Sequence, residues 1–352
     1  MRTLVVLFFA AFFLVSCKQP PTLDDAGFYA GPATGEKVFY TIESVFYITS
    51  TNRGRGIQFN QGYTKRYLNA VNPENGVKIN TIELKGITNY IGSAGGKAWF
   101  FSVDPTFGLH ARNPFSLDII VRYQDIIKCN PELKSGLSGQ ADDFSIDTSG
   151  GFMFITTNDG YCCLMDPVSL KTVRTDKKAA ANYYSIDNNL LRQSLFINDS
   201  LQVSFRGNPR EFLIWEKNTK QGTEELKDIS FIEPGILTDR TENIFVNETD
   251  NFNVPAPCLK DSNTVFILSH SNLSPHTFNW VISALYLDFY KAKIIWQKEI
   301  NQTEKISFFD KQFLKAGIEN KYLILVFKNM LLGIDKKTGN IAWRDNYITK
   351  SS

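Results

Sequence analysis

The sequence predicts an all-β fold, and three observations carry that prediction. Phe, Tyr and Trp make up 13 % of the 352 residues. Many fall in short alternating or apolar runs, the pattern of strands that fit a pleated, half-buried surface. Clusters of Gly, Asn, Asp and Pro interrupt those runs at hairpin intervals. A turn that opens on Asn or Asp also returns along the chain at a period of roughly 40 to 50 residues, the spacing of four-stranded propeller blades.

The first segment stands apart from this pattern. Residues 1–16, MRTLVVLFFAAFFLVS, set Arg2 ahead of an unbroken apolar run from Leu4 to Val15. Those are the charged and hydrophobic regions of a secretory signal. The run is shorter than the roughly 20 residues a helix needs to cross a bilayer. Leu14-Val15-Ser16-Cys17 follows and resembles the bacterial lipobox. The resemblance implies that the signal is cut before Cys17 and that its thiol carries diacylglycerol, with the new amine acylated as well. Two or three acyl chains hold a protein on a membrane durably, where one does not. Residues 17–37, rich in Pro, Gly and small residues, read as a lipidated tether, and residues 38–352 as the propeller domain. Lys18 and Gln19 show no inner-membrane retention signal of the enterobacterial kind, which favours an outer membrane.

Composition narrows the partners. The chain has 38 Lys and Arg against 36 Asp and Glu, so there is no basic excess of the kind that nucleic acid requires. Cys129, Cys162, Cys163 and Cys258 remain after Cys17, and an exported compartment permits but does not require disulfides. Cys162 and Cys163 are neighbours in an expected strand, so they point to opposite faces. With His110, His270 and His276 as the imidazoles and no C-x-x-C pair, no metal site is expected. Asp142, Asp143 and Asp147 lack EF-hand spacing and read as a polar connection before a strand. His270 and His276 flank a loop signal and read as surface residues.

The repeat is clearest at the C-terminus. KYLILVFKNMLLGIDKKTGNIAWRDNYI reads as strand, turn, strand, turn, strand. Its segment Gly333 to Trp343 resembles the tryptophan-docking motif of quinoprotein-like propellers, A-x-D-x-x-x-G-K-x-x-W. The resemblance implies that Asp335 opens a turn, Gly339 closes it with a positive φ, and Trp343 packs between blades. Weaker copies lie upstream: Ala70 to Gly76 with Asn80 in the Trp place, Ala111 to Pro114, the Asp166-Pro167 turn, Asn208-Pro209 near Trp215, and Asp288 eight residues before Trp296. The anchors 72, 113, 166, 208, 288 and 335 are 41, 53, 42, 80 and 47 residues apart. Because 80 is twice 40, a further degenerate copy is expected near Asn247 to Asn253. The prediction is a seven-bladed β-propeller, with an eight-bladed ring as the alternative.

The same resemblance raises the question of enzymatic activity. Quinoprotein dehydrogenases hold their cofactor against a ring formed by a vicinal disulfide, and Cys162-Cys163 is a vicinal pair. Its setting is a strand leading into the Asp166-Pro167 turn, not an exposed loop. No catalytic residue, cofactor ligand or c-type haem motif is assigned, and no G-x-S-x-G, Walker loop or H-E-x-x-H sequence occurs. The reading is therefore a lipid-anchored envelope propeller that serves as a non-catalytic binding platform for an envelope protein. Its analogue by fold and anchoring is the propeller lipoprotein of the outer-membrane β-barrel assembly machinery. A quinoprotein-like or hydrolytic enzyme and a sugar- or peptide-binding module are the rivals.

Overall fold

A computed structural model describes residues 19, 21–29, 37–54, 57–104, 106–137, 139–146, 151–175, 194–196, 201–206, 211–218, 223–227, 256–261, 263–274, 277–288, 291–300 and 313–346. These residues form six antiparallel sheets of four strands each. Every sheet is one contiguous stretch of chain. Blade 1 holds β1 (Thr22–Phe28), β2 (Phe39–Gly54), β3 (Ile57–Val71) and β4 (Lys78–Leu84). Blade 2 holds β5 (Thr88–Ala94), β6 (Lys97–Ser102), β7 (Leu109–Arg112) and β8 (Ile119–Val121). Blade 3 has β9 (Phe144–Ile146), β10 (Met153–Thr156), β11 (Cys162–Met165) and β12 (Thr172–Thr175). Blade 4 has β13 (Ser194–Phe196), β14 (Leu201–Arg206), β15 (Glu211–Asn218) and β16 (Thr223–Lys227). Blade 5 comprises β17 (Ala256–Asp261), β18 (Thr264–Ser274), β19 (Thr277–Asp288) and β20 (Lys291–Ile300). Blade 6 comprises β21 (Phe313–Glu319), β22 (Tyr322–Phe327), β23 (Met330–Asp335) and β24 (Ile341–Asn346).

The first strands of the blades lie side by side in the order β13, β17, β21, β1, β5, β9. Blade 6 thus meets blade 1, and the two ends of the chain adjoin within an all-β propeller. Stacking of this kind follows from two-faced burial. Strand β22, YLILVF, is buried at every position. Its Leu323, Leu325 and Phe327 face blade 5, while Tyr322, Ile324 and Val326 face blade 1. Likewise Trp99 and Phe101 of β6 face blade 3, and Ala98 and Phe100 face blade 1. One sheet cannot cover both of its faces, so each blade needs a neighbour on either side.

The structure departs from the sequence reading at four points. The stretch 17–37 is not all tether: Thr22–Phe28 is the inner strand of blade 1, with Leu23 and Ala26 buried. Asp24 and Asp25 disguise it, because a bulge after Leu23 lets the two carboxylates fall between the buried positions. Asn208-Pro209 lies outside the described residues, between β14 and β15, so it is out of phase with the turns that join third to fourth strands. Asn247 to Asn253 also lies outside them. However, β13 and β17 adjoin, so blades 4 and 5 are direct neighbours, and the described residues carry six units where seven were expected. Finally, the anchor step of 53 holds a helix that the strand pattern did not announce.

That helix, α1 (Tyr123–Cys129), begins where Asp125 accepts from the Arg122 N–H at 2.8 Å, a carboxylate in the first turn where the helix dipole favours it. It buries Ile126 against blades 2 and 3. Asn130 then clamps the insertion to blade 3. Its Nδ2 donates to the carbonyls of Ile126 and Leu170 at 2.9 and 2.7 Å, and its Oδ1 accepts from the Thr172 N–H at 2.8 Å.

Candidate functional site: blade junctions and outer edges

The turn between third and fourth strands is built alike in blades 1, 2, 3 and 6. Its first residue is Asn72, Asn113, Asp166 or Asp335. That residue's Oδ1 accepts from the backbone N–H two residues on, of Glu74, Phe115, Val168 and Lys337, at 2.8 to 3.0 Å. Its carbonyl accepts from the N–H four residues on, of Gly76, Leu117, Leu170 and Gly339, at 2.8 to 3.1 Å. Closing the turn drives that fourth residue into the left-handed region, with φ of 71°, 62°, 62° and 72°. Glycine adopts it freely, whereas a leucine there gives up about 1–2 kcal/mol. The N–H donors also hold Asp166 and Asp335 below the ordinary carboxylate pKa, through the Val168 N–H for the first and the Thr338 N–H for the second.

The carbonyl of the second turn residue points at the neighbouring blade and receives a donor from it. Pro73 accepts from Trp343 Nε1 at 2.9 Å, Pro114 from Tyr40 Oη at 3.0 Å, Pro167 from Lys97 Nζ at 2.8 Å, and Lys336 from Trp296 Nε1 at 3.0 Å. A Cβ on Gly76 would stand 2.6 Å from the Trp343 ring, and one on Gly339 would stand 2.6 Å from the Trp296 ring. Trp343 stacks on Phe39 with centroids 6.3 Å apart. Asn80 occupies the same register in β4 that Trp343 holds in β24, opposite Ala70 where Trp343 is opposite Gly333. Its Nδ2 donates to Ser116 O at 2.6 Å, in the turn of blade 2.

Asp288 sits differently. Trp296 pairs with Ala284, four residues before Asp288, whereas Trp343 pairs with Gly333, two residues before Asp335. Blade 5 extends its hairpin further, Asp288 ends the ladder opposite Lys291, and the shared offset of eight comes from a longer hairpin. Sequence reasoning passed over Tyr40 and Lys97 as donors. The usable signal was the Pro that follows the anchor in Asn72-Pro73, Asn113-Pro114 and Asp166-Pro167, since it preserves the carbonyl while needing no N–H partner.

Buried ionisable groups brace the blades. His110 Nδ1–H donates to Gly108 O at 3.0 Å, and its Nε2 accepts from Arg112 Nε at 3.2 Å. Burial pushes the imidazole down to about 4 and the Arg112 guanidinium to about 10. Arg112 Nη1 also holds the carbonyl of Leu117 at 2.7 Å, beside the strained turn. Glu43, on the blade 1 face toward blade 6, accepts from Lys78 at 2.5 Å and Asn69 at 3.1 Å. Where blade 6 meets blade 1, Leu23 N–H donates to Lys328 O at 2.7 Å and Lys315 Nζ to Ala26 O at 2.7 Å, while Lys37 pairs with Glu319 at 3.4 Å.

Cys162 and Cys163 lie inside β11, buried and free, and Cys129 is exposed and free. Cys163 belongs to the core between blades 2 and 3, and strand alternation turns Cys162 to the other face. Burial raises both thiols above their ordinary pKa. This pair does not fit the stacking ring that a quinone cofactor would need. Among the described residues no group of three or more His, Cys, Asp or Glu could hold a metal ion. Cys17, Cys258, His276 and Asp147 are not among the residues whose side chains are described, and the same holds for His270 and Asp288.

Among the described residues the fourth strands are the outermost strands of the blades, with the Thr81 N–H of β4 taken by Asn80 Oδ1 and the Thr172 N–H of β12 by Asn130 Oδ1. Each outer strand whose side chains are described carries a branched apolar residue in solvent: Ile79, Ile120, Val173, Ile295 and Ile341 are 46 to 67 % exposed.

No family model matches the chain, and no curated protein sequence matches it either. Solved structures similar to it include the quinohemoprotein alcohol dehydrogenase of Comamonas testosteroni, at 11 % identity over 93 % of this chain and 69 % of that one, with a TM-score of 0.23. A quinohemoprotein alcohol dehydrogenase of Pseudomonas putida HK5 aligns at 10 % identity over 93 % and 68 %, with a TM-score of 0.22. The β-propeller domain of the Trilobed protease of Pyrococcus furiosus aligns at 9 % over 95 % and 100 %, with a TM-score of 0.32. The propeller architecture of this chain is defined by its own sheet order and blade contacts.

Proposed function

We propose that this chain is a lipoprotein held on an envelope membrane, the outer one by the residues after Cys17, whose propeller is a non-catalytic platform binding an envelope protein at an outer blade edge. The ring is read as six-bladed, on the adjacency of β13 and β17. The observation that carries the binding role is the row of outermost strands with an exposed Ile or Val on each one whose side chains are described. An edge of that kind accepts an added strand, with backbone bonds supplying affinity and alternate side chains supplying specificity.

A photo-crosslinker at Thr81 or Lys171, beside Ile79 and Val173 respectively and exposed, is expected to capture one specific envelope protein in intact cells, and Ile79→Lys or Val173→Lys to abolish the adduct at the neighbouring probe. Cys17→Ser is expected to release the protein from membranes or leave its precursor uncut. Saturable binding of pyrroloquinoline quinone with calcium-dependent turnover would replace the platform with an enzyme. Specific binding on a glycan or peptide array, with no protein adduct, would replace it with a small-ligand module.

A further inference from the structure

Blade 1 differs from its neighbours in the length of its central hairpin. Strands β2 and β3 run for 16 and 15 residues. On one side β1 accompanies β2 only as far as Ser44, and on the other β4 accompanies β3 only from Arg66 onward. Beyond those points β2 and β3 continue as a two-stranded ribbon, paired from Val45↔Lys65 to Gly54↔Ile57. Ten residues at about 3.3 Å each carry it roughly 30 Å past the sheet. A two-stranded ribbon alone in water is marginally stable at best. Its base is aromatic: Tyr47 stacks on Tyr63 with centroids 5.3 Å apart, Tyr47 Oη meets Tyr67 Oη at 3.3 Å, and Tyr63 is 51 % exposed.

Two further observations say what this ribbon meets. The first is the course of the chain toward Cys17. Because β1 is antiparallel to β2 with Thr22 opposite Ser44, tracing back from Thr22 leads outward along the ribbon, and the Gln19 N–H donates to Phe46 O at 2.9 Å. The two residues from Gln19 to Cys17 reach at most about 7 Å. Gln19, two residues after Cys17 in the chain, therefore lies beside the ribbon, on the face of the propeller from which the ribbon projects. The second is charge. Among its described residues the ribbon carries Arg53 and Lys65 and no Asp or Glu, in a chain whose net charge is only +2; Lys65 pairs with Glu83 of β4 at 3.0 Å, and beyond that pair the ribbon's charge is that of Arg53.

We propose that the β2–β3 ribbon is a second membrane contact, lying on the anionic phospholipid surface that receives the Cys17 acyl chains. Tyrosines prefer the interfacial zone of a bilayer, and cations near an anionic surface are drawn to it. One flexible tether leaves a protein free to tumble on the membrane. A ribbon beside the anchor fixes its orientation, directing the turns between third and fourth strands away from the bilayer and the outer edges sideways. The inference rests on the lipoprotein reading for its location, but its chemistry can be tested without the lipid.

Residues 17–352 carrying Cys17→Ser keep every described residue and can be mixed with vesicles of phosphatidylcholine alone or with phosphatidylglycerol. The protein is expected to sediment with the anionic vesicles and not with the neutral ones, and to dissociate near 1 M salt, where the Debye length is about 3 Å. Arg53→Glu, which reverses one charge, should weaken binding by roughly ten-fold or more, and Tyr63→Ala by a few-fold. Lys337→Glu, on the opposite face, should leave it unchanged. Equal binding to neutral vesicles, no binding to anionic ones, or an unaffected Arg53→Glu protein with unaltered unfolding would overturn the assignment. So would a photo-crosslinker at Tyr63 that captures a protein and no lipid in cells. The anchor is read separately: if full-length Cys17→Ser protein is cut and stays acylated, the lipoprotein reading fails while the vesicle result stands. A released Cys17→Ser protein with no vesicle binding leaves the anchor and removes the ribbon.

Discussion

The junction of blade 6 with blade 1 and that of blade 1 with blade 2 do the same work with different side chains. In the first, the indole of Trp343 reaches from the fourth strand of blade 6 to Pro73 O and lies over Gly76. In the second, the fourth-strand position belongs to Asn80, which is too short to span the junction as an indole does and reaches Ser116 O instead. The phenol of Tyr40, on β2 across Ala70 from Asn80, takes the matching carbonyl of Pro114. What is repeated is a turn that presents one carbonyl outward. The donor is whichever side chain the next sheet can bring there, so a motif defined by its Trp finds only part of the repeat.

The largest effect is expected at the indole. Trp343→Ala should destabilise by about 3 kcal/mol, the low end of the range for a large aromatic because this one is partly exposed, as measured by denaturant unfolding. Gly76→Ala should cost about 2 kcal/mol, combining left-handed strain with the ring contact, and about 1 kcal/mol in the Trp343→Ala background, where the strain alone remains. Equal costs in both backgrounds would separate the glycine from the indole.

On the blade 2 side, acid should act through His110. Its folded pKa of about 4 lies below the ordinary value near 6.5. The unfolded chain therefore takes up the proton first as pH falls. The contribution of neutral His110 is complete above about pH 6.5 and declines toward pH 4, by roughly 3 kcal/mol in all. Unfolding measured at intervals across that window should show the decline, and His110→Gln should flatten it.

Tyr40→Phe keeps the ring and removes the hydroxyl, leaving Pro114 O without its donor, for about 1–2 kcal/mol. Asn80→Ala should be the mildest, about 0.5–1 kcal/mol, because its site is partly open to water. Should Asn80→Ala exceed Tyr40→Phe, the amide and not the phenol would be the counterpart of Trp343.

The sequence by itself determined the strand content, the hairpin turns of blades 3 and 6, and the anchors at 72, 113, 166 and 335. Those depend on local chemistry: alternation along a strand, an Asx side chain capping its own turn, a residue that tolerates positive φ. Cys162 and Cys163 were legible as strand neighbours on opposite faces for the same reason. Tertiary structure decided the rest. Leu117 and Leu170 take the left-handed position of Gly76 and Gly339, which local propensity disfavours and which packing and the Asn130 and Arg112 bonds to their carbonyls support. Thr22–Phe28 became a strand because blades 1, 2 and 6 surround it, although its Asp-Asp pair speaks against one. The helix at Tyr123–Cys129 and the donors Tyr40 and Lys97 depend on partners tens of residues away, where a short-range pattern carries no information about what will lie opposite.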